Sequence, residues 1–131
     1  MYHWIRRCVS VAAPLVVLSI LCPRAMADNF AAVRYDPARD QLVVTMVYRG
    51  TNPDHVFSLQ WGQCNQRPGE SRPEVSVEIL DSQWQDVARQ NFKKTTRFDL
   101  SDIPCRPAKV TIRSAPRFFY TVSIPAKSGT N

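Results

Sequence analysis

Few residues in this chain can do acid–base chemistry near neutrality. The sequence holds two histidines, His3 and His55. His3 falls in an N-terminal stretch that reads as a leader, which leaves His55 as the one side chain with an ordinary pKa of about 6.5. A Ser–His–acid arrangement would have to use it. Asp54 is its sequence neighbour, but adjacent residues on a strand point to opposite faces, and no Gly-x-Ser-x-Gly turn is present. The plain reading of His55 is a histidine at a strand start beside a turn. The acids Asp36, Asp40, Asp54, Asp81 and Asp102 fall mostly in turn sequences, where Asp bends and caps backbone. A small hydrolase using His55 and these acids is the enzymatic alternative.

Metal chemistry has little to work with. A zinc site needs three or more His, Cys or carboxylate ligands. A copper carrier built from His55 and Met46 is conceivable, but Met46 sits in an apolar strand pattern on the core-facing side, where methionine fills space. No phosphate loop or dinucleotide fingerprint occurs. The expectation is a protein without catalysis, cofactor or metal.

Two further groups remain, sulfur and guanidinium. Of four cysteines, Cys8 and Cys22 lie in the leader, and Cys64 and Cys105 lie in the body. An even pair in an exported chain reads as a disulfide. Arg67, Arg72 and Arg106 lie in the segments beside these cysteines, so a Cys64–Cys105 bond would gather them at one end. Guanidinium suits carboxylate, phosphate or sulfate partners: an acidic protein surface, an anionic lipid or an acidic glycan. The weight falls on the blander outcome, in which Glu70, Glu74, Asp99 and Asp102 neutralise this patch. Arg89, Lys93, Lys94 and Arg97 form a second basic concentration. Aromatics interleaved for base stacking are missing, so nucleic acid is not an expected partner. Trp84, after a turn and between two glutamines, is a candidate partner anchor, although packing against a sheet is the favoured reading.

The compartment follows from the N-terminus. Arg6 and Arg7 precede an uncharged, mostly apolar run from Val9 to Cys22, then Ala25-Met26-Ala27. That is the three-part pattern of a secretory signal, with cleavage expected after Ala27. A permanent anchor needs about 20 apolar residues; this run is shorter, contains Pro14 and stops at Pro23-Arg24. A lipoprotein site at Cys22 fits poorly, because Ile20-Leu21 precede it. Residues 1–27 are therefore read as signal peptide and 28–131 as one periplasmic or secreted domain, with no membrane span after processing. The net charge of +6 includes Arg6, Arg7 and Arg24, so the domain itself carries only +3.

The elements that must position these groups are strands. Ala31, Val33 and Tyr35 alternate with Ala32 and Arg34, and Asp36-Pro37 starts a turn. Gln41–Arg49 is rich in Val, Thr and Tyr with both faces apolar, which predicts a central strand. His55–Gly62 places Phe57, Leu59 and Trp61 on one face, with Cys64 just past its end. Val75, Val77 and Ile79 mark the next strand, and Trp84–Arg89 a short one. Thr96, Phe98 and Leu100, then Val110 and Ile112, then Phe118, Tyr120, Val122 and Ile124, form the remaining inward sets, with Phe119 outward. Seven or eight short antiparallel strands with frequent turn signals predict an all-β fold, an immunoglobulin-like β-sandwich with one disulfide.

Overall fold

A computed structural model describes residues 29–86, 88, 90–113 and 119–127. The stretch read as a leader, Arg89, the turn expected at Ala115-Pro116-Arg117, and Phe118 lie outside the described residues. Every regular element among those described is a β-strand: β1 (Asn29–Asp36), β2 (Gln41–Gly50), β3 (Phe57–Asn65), β4 (Glu74–Asp81), β5 (Gln90–Asp99), β6 (Ala108–Arg113) and β7 (Phe119–Ile124). No helix among them is long and apolar enough to cross a membrane.

The strands form two sheets, ordered β1-β2-β5 and β3-β4-β6-β7. Leu42, Val44, Met46, Tyr48 and Phe98 of the first join Phe57, Val75, Val77, Ile79, Val110, Ile112 and Ile124 of the second in one buried cluster. Period two explains this packing: alternate residues of β2, β4 and β6 leave water together, each worth about 1.5–3 kcal/mol when fully buried. β2 is the middle strand of its sheet. Its second face is buried only at Val43, 4% exposed, while Thr45 and Val47 are half-buried and Arg49 is exposed, so the strand is covered on one side and only partly on the other.

The pairing is not wholly antiparallel. β4 and β6 run parallel, Glu74 opposite Lys109 and Val77 opposite Ile112. Parallel neighbours need a crossover, and here β5 supplies it by leaving for the other sheet and returning. Turn spacing alone carries no information about that exchange.

Three local details also differ from the sequence reading. A register shift between Phe30 and Ala32 changes the phase of β1, so Phe30 is buried together with Val33 and Tyr35, although alternation alone misses it. Cys64 lies inside β3, not beyond it. A second register shift falls between Trp61 and Cys64. Gly62 sits there because a Cβ would come within 2.6 Å of Ser76 Oγ. Finally, Trp84 and Gln85 form a turn after β4, where a short strand is predicted.

The strand directions define two ends. One gathers the β1–β2 turn, the loops 66–73 and 100–107, and the segment after β7. The other gathers the β2–β3 and β4–β5 connections.

Candidate functional site

The end that carries the β1–β2 turn holds the disulfide, Cys64 to Cys105, which ties β3 to the loop before β6. Beside it lies a cleft of about 310 Å³ lined by Tyr35, Arg39, Asp40, Arg106 and Lys127, with Pro37, Ala38 and Ala126 as its apolar wall. Asp36 initiates the turn that builds it: its Oδ1 accepts the Ala38 amide at 3.2 Å. Asp40 closes the turn with a φ of +53°, a left-handed conformation that Asp tolerates better than most residues.

Asp40 is the hub. Its Oδ1 accepts from the Tyr35 hydroxyl at 2.8 Å and from the Arg106 guanidinium. Arg106 first, and then Tyr35, hold its carboxyl below the usual range against the opposing effect of burial. The same bond raises Arg106. Only 12% of the Arg106 side chain is exposed, and its Nε is buried with no acceptor among the described residues. Arg39 is 65% exposed and touches Asp36 only loosely, at 3.7 Å. Lys127 is exposed as well. The arrangement is a guanidinium held by Asp40 at the base of a cleft with two exposed cations at its rim, which suits anions.

The three predicted arginines share this end but not one site. Arg67 pairs with Glu74 at 3.2 Å, an acid it shares with Lys109 at 2.7 Å. Glu74 is thus one of the predicted neutralising acids. Arg106 is neutralised instead by Asp40, which the sequence offers only as a turn residue. Arg72 is exposed. Trp84 stands at the opposite end, 46% exposed in its turn, so core packing is not its role. The second basic concentration disperses: Arg97 donates to Asp36 at 3.0 Å, while Lys94 turns inward and donates to the His55 carbonyl at 2.9 Å.

His55 belongs to that opposite end and is fully buried. Its Nδ1 lies 2.6 Å from Asp81 Oδ2 and its Nε2 lies 3.2 Å from Asp86 Oδ2. Both partners are carboxylates, which only accept when ionised, so both ring nitrogens donate and the ring is an imidazolium. Burial pushes its pKa down, but the bonds and charges of Asp81 and Asp86 outweigh this and raise it. Asp86 Oδ2 also accepts the Thr51 amide at 2.6 Å and its hydroxyl at 2.8 Å. These bonds, the amide foremost, hold Asp86 down to about 2. Tyr48 lies against the imidazole with ring centroids 4.7 Å apart. Gly50 makes room, since a Cβ there would come within 2.5 Å of His55 Nε2.

This triad ties two connections together and presents no free nitrogen to a substrate. Asp54, the neighbour in sequence, is not a ring partner. Asp81 and Asp86 come from 26 and 31 residues away, and sequence spacing gave no sign of them. Met46 is fully buried in the core cluster. Among the described residues, no three His, Cys or carboxylate side chains converge where a metal ion could sit. No family model, curated protein or solved structure matches the chain.

Proposed function

We propose that this chain is an exported immunoglobulin-like β-sandwich that acts in the periplasm or outside the cell, without catalysis, by binding an acidic protein surface. The N-terminal leader pattern and a cysteine pair joined as in an oxidising compartment support the location. The observation that carries the binding reading is the cleft of about 310 Å³ with Arg106 at its base and Arg39 and Lys127 at its rim. The exposed Arg39 and Lys127 at the rim offer donors to a ligand that brings acceptor oxygens. Arg72 is exposed on the neighbouring loop, and Arg67 beside it pairs with Glu74.

The test uses short oligoglutamate as the probe, with oligolysine, a sulfated oligosaccharide and phosphatidylglycerol vesicles beside it. Oligoglutamate is expected to shift the amide signals of the β1–β2 turn. Arg39→Glu with Lys127→Glu should weaken binding about tenfold or more, as two charge-assisted contacts are lost. Arg34→Glu, with the same change in charge per site, should not. Arg67→Glu and Arg72→Glu measure the share of the adjacent loop. Equal weakening by Arg34→Glu would reduce the effect to net charge and remove the cleft from the reading. Preference for the vesicles or the glycan would replace the acidic protein as partner.

A further inference from the structure

The sheets do not close on one another along every side. β3 is the outer strand of one sheet and β5 the outer strand of the other. Between their edges lies a second cleft, also of about 310 Å³, lined by Ser58, Leu59, Trp61, Phe98, Asp99 and Asp102. Its composition is unlike that of the basic cleft. One wall is aromatic and aliphatic: Leu59 and Trp61 are half-buried against the core, and Phe98 is buried. The other end carries two carboxylates. Asp99 Oδ1 accepts the Ser101 amide at 2.7 Å. Asp102 is exposed. Neither forms an ion pair among the described residues, although Asp40, the acid of the basic cleft, does.

We propose that this cleft binds an organic cation, the guanidinium or ammonium of a basic side chain on a partner polypeptide. Three features select that chemistry. An indole face attracts a cation through its quadrupole, and Trp is the strongest of the aromatic residues in this. The two carboxylates of the lining, Asp102 and the second oxygen of Asp99, accept the N–H donors of the same group. Leu59 and Phe98 suit the methylene stem, which buries its length while the charge stays at the rim. A neutral sugar would also use an aromatic wall, but two carboxylates in the lining, Asp102 with no ion pair among the described residues, favour a positive ligand. The two clefts share no lining residue, although the charges of Asp40 and Lys127 both reach Asp99.

The test titrates the full chain with Nα-acetyl-arginine amide and with tetramethylammonium. Nα-acetyl-glutamine amide and methyl glucoside serve as neutral controls. Indole and Leu59 methyl resonances report binding. Saturable shifts at Trp61 and Leu59 are expected with both cations. Asp102→Asn, at an exposed side chain with no hydrogen bond among the described residues, should fold normally and weaken binding of the arginine amide by about tenfold; tetramethylammonium, which has no N–H to donate, should weaken less. Arg39→Glu alone, which weakens the basic cleft and does not act on Asp99, should leave these affinities within about twofold, which separates this site from the acidic-partner reading. Shifts from the glutamine amide equal to those from the arginine amide would overturn the proposal. So would saturation by the glucoside alone, no shift at Trp61, or an Asp102→Asn variant that binds like the wild type.

Discussion

Replacing His55 by alanine should change both the stability of the protein and its dependence on pH. The folded chain holds His55 as an imidazolium between Asp81 and Asp86, with a raised pKa. In the unfolded chain it titrates at about 6.5. Below that value both states bind the proton and the full stabilisation is present. Above it the unfolded chain is neutral while the folded chain keeps its proton, so stability falls as pH rises. The slope is about 1.4 kcal/mol per pH unit until the raised folded pKa is passed. Removing one member of a buried ionic set costs about 3–5 kcal/mol, a large part of the roughly 5–15 kcal/mol that holds a domain together. For about 100 residues this lowers Tm by at least roughly 12 °C at pH 6. Urea unfolding followed by circular dichroism at pH 6, 7, 8 and 9 measures both effects. The wild-type midpoint should decline across the series; the His55→Ala midpoint should start lower and stay flat. His55→Gln, which keeps more of the volume, serves if alanine prevents folding. A wild-type midpoint that is flat or rises above pH 6.5, or a variant that keeps the wild-type decline, would refute the argument.

Other consequences follow from the same contacts. Gly50→Ala forces a Cβ to within 2.5 Å of His55 Nε2 and 2.9 Å of Asp86 Oδ2; it should cost about 1–3 kcal/mol in urea unfolding, and His55→Ala should absorb much of that cost in a double-mutant cycle. Thr51→Val removes one of the donors that hold Asp86 at about 2. The stability Asp86 gives is complete above its ordinary value and is lost as pH falls through about 2, so the variant should unfold at a higher pH in an acid titration. Replacing Cys64 and Cys105 together by alanine opens a loop of 41 residues and should cost roughly 4 kcal/mol in the chain-entropy model, with the wild type in reductant showing the same lowered midpoint.

The sequence announced the frame of this molecule where one physical signal dominates. Alternation in Leu42–Tyr48, Val75–Ile79 and Val110–Ile112 reports burial directly, and these positions are the core. The cysteine pair was legible because only two cysteines lie beyond the stretch read as a leader. Signals that depend on distant partners were silent. β5 crossing between sheets makes β4 and β6 parallel neighbours, and no local pattern encodes that. The shift after Phe30 moved its side chain into the core against simple alternation. His55 was visible as a residue but not as an ion, because its partners approach from the β4–β5 connection. Trp84 looked like a core residue because tryptophan usually is one, yet its turn holds it at the surface. Both clefts escaped for the same reason: each is assembled from segments that meet only after the sheets have stacked.

The two ends of the molecule should answer separately to mutation. Asp40 precedes β2 and Gly50 ends it, and the strand has ten residues. At about 3.3 Å per residue they stand roughly 30 Å apart, far beyond the distance at which independent sites couple. Asp40 anchors the basic cleft, while Gly50 packs on the imidazolium. Reversing the charge of Arg39 and Lys127 should therefore leave the pH profile of unfolding unchanged above pH 6, because His55 keeps both of its carboxylates. His55→Gln, measured at a urea-free pH where it is fully folded, should leave oligoglutamate affinity within about twofold. Coupling larger than that would mean that the β2 strand transmits a change along its length, and the division between an end that locks the fold and an end that binds would have to be given up.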